Sequence, residues 1–584
     1  MNNKACCWVL IILIAGGVLS MVVTGILIGS FMAGVGKETA VSRHSFLMIE
    51  LSGFVPEHRS SPQFEVWLRE QPTISQLLYC LEQADDDPRI VGVVLRPWGT
   101  MGFAELRELR EAVSRFKESG KPVYAYLEMA TDRDYYLASM ADTIAITPSR
   151  SGGLIMLGLS ASNTYLAKTF RKVGIEFHVL HTGKYKGAYE NLDSEAMSGP
   201  LRESLQSLLD DLFKTYTGEI ADARPQIGKE ALEKMLLQPD RLVIGGEEAV
   251  QAGIADLAMD WGDFRDRIRA GDEFRGISPA KYARSRTSAE FGDEIAVVFA
   301  GGSISYGDGD DPWGDGDDIE SGDMVKLLRE LREDESVKAV VLRVNSPGGS
   351  SLASDIILQE LKRLKHKKPV VVSMGNVAAS GGYYISCAAS EIIAQPNTIT
   401  GSIGVVSVIP SAKDLYEKIG ARVETVEKGY WDQFFRLDKE FTPEHEKVIL
   451  EFMDGVYDEF LTHVADGRGL SKAQVEESAQ GRVWTGIQAR ERGLVDGLGG
   501  LDFALDRACD LAGVDRESVA VERYPHPRGL LEFVLNQLET KVRMIQSRLL
   551  VPYDDPDMRR ALDFLTKFNR QREYVQMLMP IEVP

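Results

Sequence analysis

Along this chain, short apolar runs alternate with longer stretches whose apolar residues recur at helical spacing. The short runs fall at 46–51, 91–95, 123–127 and 143–146, and again at 295–299, 339–344, 370–373 and 392–394. Their length and aliphatic content predict buried strands. The stretches 103–118, 201–221, 353–364 and 443–465 carry the three-and-four periodicity of amphipathic helices. Strands alternating with helices predict an α/β protein built on parallel sheets. A weak linker at 271–291, with Gly276, Pro279 and several charges, separates two such cycles. Beyond about residue 515 the cycle stops. Helical spacing at 530–549, with Lys541, Arg543 and Arg548 off the apolar positions, and at 558–568 after Pro552, predicts a helical extension. Its ordinary role is packing or oligomer contact, and interfacial membrane binding is the alternative.

The two cycles register with one another. Lys121-Pro122-Val123 matches Lys368-Pro369-Val370, Tyr135-Tyr136 matches Tyr383-Tyr384, and Arg96 at the end of one strand matches Arg343 at the end of another. Further on, Ala252-Gly253-Ile254-Ala255-Asp256 matches Arg492-Gly493-Leu494-Val495-Asp496. Units of roughly 200 residues exceed any solenoid period, which predicts duplication of a whole domain. The expected divisions are an anchor at 1–40, repeats at 41–275 and 290–515, and the extension at 516–584. In this registration Ser380 falls opposite Asp132, and Lys186 opposite Asp432. One repeat holds a serine without the lysine, the other the lysine without the serine.

Residues 5–36 carry no charge, and 9–32 are almost entirely apolar or small. At about 1.5 Å rise per residue that run exceeds the ~20 residues a bilayer core demands. It is also longer than the apolar region of a cleaved signal peptide, so an uncleaved anchor is expected. The short leading tail favours an inside amino terminus and a body on the outer, periplasmic side of an inner membrane. The net charge of -21 over 584 residues argues against a nucleic-acid partner. Acidic residues crowd 308–320 without the ligand order of an EF-hand, so a solvated loop is expected. The five cysteines fit no disulfide or zinc framework; Cys80, Cys387 and Cys509 are expected in the core, and Cys6 and Cys7 lie at the membrane entrance. No His, Cys or acidic cluster has metal-ligand spacing.

Two segments stand where chemistry is expected. Ser380 follows a buried strand through small residues into a helix beginning near Gly381. Capping explains both it and Asp132 without catalysis, whereas Gly381-Gly382 is a poor helix start unless a backbone or ligand must come close. Asn345-Ser346-Pro347-Gly348-Gly349 ends another strand, where a glycine pair can turn its N–H groups toward an oxyanion or can simply form a tight turn. A serine needs a base, and no histidine pattern offers one. A buried lysine can serve once desolvation removes its charge; Lys186 and Lys184 are the candidates.

Asn345-Ser346-Pro347-Gly348-Gly349, Ala379-Ser380-Gly381-Gly382-Tyr383-Tyr384 and Thr400-Gly401-Ser402-Ile403-Gly404-Val405, in this order, resemble the signal peptide peptidase A family in its long, duplicated form, Ser-Lys proteases of the Clp-protease/crotonase superfamily. The resemblance covers about 45–510. It implies two tandem Clp-protease/crotonase-like domains, Ser380 as nucleophile, Lys186 as general base, Ser402 as the hydroxyl that holds the amine, and Gly348 and Gly349 as the oxyanion loop. It also implies a serine endopeptidase without cofactor or metal, acting on signal peptides and other apolar peptides, and assembled as a homo-oligomer, a tetramer. After the lysine the family commonly has Ser-Ala, then an acidic residue with Pro, whereas this chain has Gly187-Ala188-Tyr189-Glu190, which leaves the walls of the lysine pocket open and Lys184 as the backup. The rival readings are a non-proteolytic crotonase-like acyl-CoA enzyme and a catalytically inactive membrane scaffold.

Overall fold

A computed structural model describes residues 41–58, 72–271, 273–285, 292–307, 318–429, 431, 434, 436–526 and the strand Val575–Leu578. The expected anchor, most of the acidic loop, both helical stretches of the extension, and Asp432 lie outside the described residues. Among the described residues no helix is long and apolar enough to cross a membrane.

Each half is built on a parallel sheet, and the two sheets have one topology. In the first the order is Leu257–Ala258, Thr143–Ile146, Val123–Leu127, Ile90–Arg96, Ser45–Glu50, Arg275–Ile277. The second runs Gly497–Leu498, Glu391–Ala394, Val370–Ala379, Val337–Ser346, Glu294–Gly301, Ala520–Tyr524, with Ile399–Gly401 and Val483–Thr485 added beyond the end of Val370–Ala379. Two expectations are corrected here. The stretch 271–291 is not only a linker, since Arg275–Ile277 closes the first sheet and the helix Pro279–Arg284 packs on it. The region past 515 is not only helical, since Ala520–Tyr524 closes the second.

Both faces of the second sheet are covered, as parallel strands require. Along Val337–Ser346, Val340, Leu342 and Val344 enter a core with Ile357 and Leu358 of the helix Ser351–Lys367. Ala339 and Val341 enter a second core against Leu501, Ala504 and Leu505 of the helix Leu501–Ala512. Fully burying each Val or Leu stabilises by about 1.5–3 kcal/mol, which is why these strands read as unbroken apolar runs. Cys80, Cys387 and Cys509 are free and buried, as small core residues.

The duplication reaches individual hydrogen bonds. Tyr135 Oη donates to the Ile254 carbonyl at 3.0 Å, and Tyr383 Oη to the Leu494 carbonyl at 2.8 Å. Asp256 accepts from the Ile144 amide and pairs with Arg224; Asp496 accepts from the Ile392 amide and pairs with Arg468. Lys117 reaches the Met140 carbonyl as Lys365 reaches that of Ala388.

Candidate active site

The two halves exchange material at the site. The first-repeat strand Glu176–Thr182 pairs antiparallel along the second-repeat strand Val405–Ser411, with Thr182 opposite Val405 and Glu176 opposite Ser411. Ser402 lies just before one strand and Lys186 just after the other, so this single pairing brings both to the same end. Lys186 Nζ lies 2.7 Å from Ser380 Oγ, and donates to the Ser402 carbonyl at 2.9 Å and Ser402 Oγ at 3.0 Å. All three side chains are buried, with Lys186 only 1% exposed. Burial pushes the Lys186 amine well below its ordinary value. Lys184, the alternative, is exposed and lies over the Tyr185 ring.

A loop that the motifs did not mark braces the lysine. The Tyr185 and Lys184 amides donate to the carbonyl and Oε1 of Gln480, at 2.7 and 3.0 Å. The Ser402 amide donates to the Arg482 carbonyl at 2.8 Å, and the Gly481 amide to the Ile403 carbonyl at 2.7 Å. A Cβ on Gly481 would lie 2.5 Å from Lys186 Cβ, so glycine is needed where the two backbones meet. Its sequence signal is weak, a lone Gln-Gly ahead of a short strand. The departure after the lysine leaves the pocket closed, because Gly187 packs against Leu201 and Ala188 is buried.

Ser380 sits at a strand-to-helix junction tighter than expected. The strand runs through Val370–Ala379 without an intervening loop, and the helix Gly381–Ser386 begins at once. Ser380 has φ +57° and ψ −113°, and its side chain makes no capping bond. A non-glycine residue here is strained, a cost met where a side chain must be presented at a sharp turn. The capping explanation also fails for Asp132. Thr131 precedes the helix Asp132–Ala138 and donates its amide and hydroxyl to Asp134, and the Asp132 carboxylate accepts from the amides of Leu157 and Gly158 at 2.7 and 3.2 Å.

Gly348 and Gly349 form the short strand Gly348–Ser350 at the mouth of the site. Gly349 has φ +155°, and a Cβ there would meet the Ile304 carbonyl oxygen at 2.1 Å. The Gly348 amide donates to Ser346 Oγ at 3.1 Å. A Cβ on Gly381 would stand 3.1 Å from both Gly348 Cα and Gly349 N. The backbone following Ser380 therefore shares a corner with the glycine pair.

The same strand has a neighbour. Val575–Leu578 lies antiparallel to it, with Leu578 opposite Gly348, Met577 opposite Gly349 and Gln576 opposite Ser350. Its other edge pairs with Val405–Ser411, Gln576 opposite Val406 and Val575 opposite Ser407. An extended backbone thus fits between the glycine strand and the strand that follows Ser402.

Among the described residues, Asp355, Glu459 and His463 bring potential metal-ligand atoms together. The Lys362 ammonium, which can only donate, lies 2.9 Å from His463 Nδ1, so Nδ1 accepts and the ring proton sits on Nε2, 3.4 Å from Asp355. His463 Nε2 makes no hydrogen bond, and the Lys362 cation beside the ring opposes a bound cation.

The family model for Peptidase family S49 matches residues 115–274 and 362–515, one region in each half. The chain is 32% identical to Protease 4 of Haemophilus influenzae over 96% of both chains. It is also 32% identical to the chloroplastic serine protease SPPA of Arabidopsis thaliana, over 86% of this chain and 74% of that one. A ClpP1 mutant from Listeria monocytogenes aligns over 36% of this chain and 93% of its own, with 16% identity and a TM-score of 0.24. Matched in both halves by the family model and nearly end to end by a relative, the chain belongs to Peptidase family S49 and is a serine protease.

Proposed function

We propose that this protein is a membrane-anchored endopeptidase using a Ser380–Lys186 dyad to degrade cleaved signal peptides and other apolar segments. The observation that carries the reading is the 2.7 Å contact between Lys186 Nζ and Ser380 Oγ inside a fully buried pocket. A neutral amine has two hydrogens and one lone pair. The hydrogens go to the carbonyl and hydroxyl of Ser402, which leaves the lone pair facing Ser380. Lys186 takes the hydroxyl proton as Oγ attacks the peptide carbonyl. The oxyanion forms toward the corner where Gly381 meets the Gly348–Gly349 segment. The resulting ammonium protonates the leaving amine, and water, deprotonated by the same lysine, releases the acyl group.

The slot beside Gly348–Ser350 supports a peptide substrate, since an added strand satisfies main-chain donors on both edges. The uncharged run at 9–32 supports an anchor holding the catalytic part on the outer face of an inner membrane, where signal peptides remain after cleavage. A tetrameric ring enclosing the sites would restrict entry to unfolded chains; light scattering in detergent giving an active monomer would remove this part of the reading. The central test is cleavage of an apolar fluorogenic peptide by the detergent-extracted protein. Ser380→Ala should lower kcat by roughly 10⁶-fold, the scale of losing a catalytic serine. Undiminished cleavage would falsify the dyad.

A further inference from the structure

The arginine at the end of the second strand is duplicated, but its counterions are not. Arg96 is paired within its own half, with Glu50 at 2.7 Å and Glu128 at 2.9 Å, all three side chains partly exposed. At the matching place in the second half neither carboxylate survives. Phe299 lies across the strand pair from Arg343 as Glu50 lies across from Arg96. Continuing the match of Val123 with Val370, the position of Glu128 is taken by Gly375.

Arg343 is nonetheless doubly paired, with its side chain only 2% exposed, and both partners come from the first repeat. Its Nε and Nη2 donate to Glu57 Oε1 at 2.9 and 2.6 Å. Nη1 and Nη2 donate to the two oxygens of Glu108 at 2.6 and 3.0 Å. Gly375 makes room for this exchange, since a Cβ there would lie 2.9 Å from Glu57 Oε1. Nη1 also donates to Ser373 Oγ at 2.9 Å, tying the glycine-loop strand to the nucleophile strand. Glu105 continues the grip toward the site. It accepts from Asn345 Nδ2 at 3.3 Å and its amide donates to Asn376 Oδ1 at 3.2 Å, while the Val377 amide donates to Asn345 Oδ1 at 3.1 Å. Asn345 immediately precedes the Ser346–Gly349 turn, and Asn376 lies on the last stretch of strand before Ser380.

We infer that Glu57 and Glu108 are positioning residues for the proposed chemistry, acting through Arg343 to hold the oxyanion strand and the nucleophile strand in register. The first repeat then supplies the geometry of the serine as well as the lysine. A guanidinium suits this place because its planar fork engages two carboxylates and a hydroxyl at once, which an ammonium cannot do in the same plane. Deprived of a partner, the buried charge draws water or moves its strand, and displacements near 1 Å at a reacting centre cost about 100-fold in rate.

The inference rests on Ser380 being the nucleophile, and the test separates the two. Full-length protein in detergent is mixed with a p-nitrophenyl ester, and the pre-steady-state burst gives the acylation rate of Glu57→Ala, Glu108→Gln and Arg343→Lys. Acylation should slow by about 10- to 100-fold, with KM within about twofold and the pH midpoint of activity unmoved, since that midpoint belongs to Lys186. The double variant Glu57→Ala/Gly375→Glu, which gives the second repeat the carboxylate the first keeps at Glu128, should recover much of the rate. Acylation within about twofold of the parent in all three single variants overturns the inference. So does a loss that tracks only the folded fraction in thermal unfolding, or a double variant no better than Glu57→Ala. Cleavage surviving Ser380→Ala would instead remove the dyad beneath it.

Discussion

Lys186 is charged in the unfolded chain up to about pH 10.4 but is neutral at much lower pH when buried beside Ser402. The neutral amine is the reactive form, so activity should rise with pH through the depressed value and level off well before the ordinary one. A pH–rate profile rising only near pH 10 would remove lysine as the base. Between the two values the unfolded chain binds more protons than the folded one, so this group makes stability increase with pH. Lys186→Met should accordingly raise the unfolding midpoint most at and below the depressed value, with the gain fading as pH approaches 10.4. Lys186→Arg should be inactive despite keeping its charge, because a guanidinium does not deprotonate in a protein. Lys184→Ala should be tolerated, since that side chain lies outside the pocket. At this scale the informative signal was the set of motifs that carry the family resemblance, which names the residues that follow. Ser380, Lys186, Ser402, Gly348 and Gly349 all meet at one corner. Gly381 was read only as a weak helix start, because a backbone amide has no residue-type signature. Residues 480–482 were missed because a brace made of main-chain bonds leaves no pattern of side chains.

Elements with clean apolar runs were legible almost to the residue; Val123–Leu127, Thr143–Ile146 and Phe103–Glu118 lie where the periodicity puts them. The strand runs on to Ala379, past the apolar run at 370–373, through Gly375, Asn376 and alanines that lack the aliphatic content that marks a strand. The pairing of Glu176–Thr182 with Val405–Ser411 was not legible, since hydrogen bonding between halves has no period. Nor was Val575–Leu578, a segment whose placement depends on an acceptor edge far away in sequence. That segment occupies the slot proposed for substrate, and a tethered occupant competes at an effective concentration of about the millimolar range. Ending the chain after residue 574 should therefore lower KM for short apolar peptides by about tenfold or more while leaving kcat nearly unchanged. A synthetic peptide of the sequence 572–584 should inhibit the truncated protein competitively. An unchanged KM on truncation would show that the tail does not stand in the substrate's path.

For the whole molecule, duplication provides two copies of one sheet, and the copies are locked together by what each lacks. The second half has Ser380, the Gly348–Gly349 pair and Arg343, while the first has Lys186, Glu57 and Glu108. Expressed separately, neither half should cleave peptides; co-expressed, they should regain activity to the extent that Glu176–Thr182 finds its partner strand, as a cleavage assay on the purified pair would show. Full activity from residues 290–584 alone would place the base elsewhere. The split also has a consequence in time. A ribosome delivers Lys186 long before Ser380, and no partial chain ending between them contains a nucleophile. A nascent chain of this design lacks its proposed nucleophile until Ser380 has been added, and competence waits until the second sheet closes on the strand from the first half that leads to Lys186.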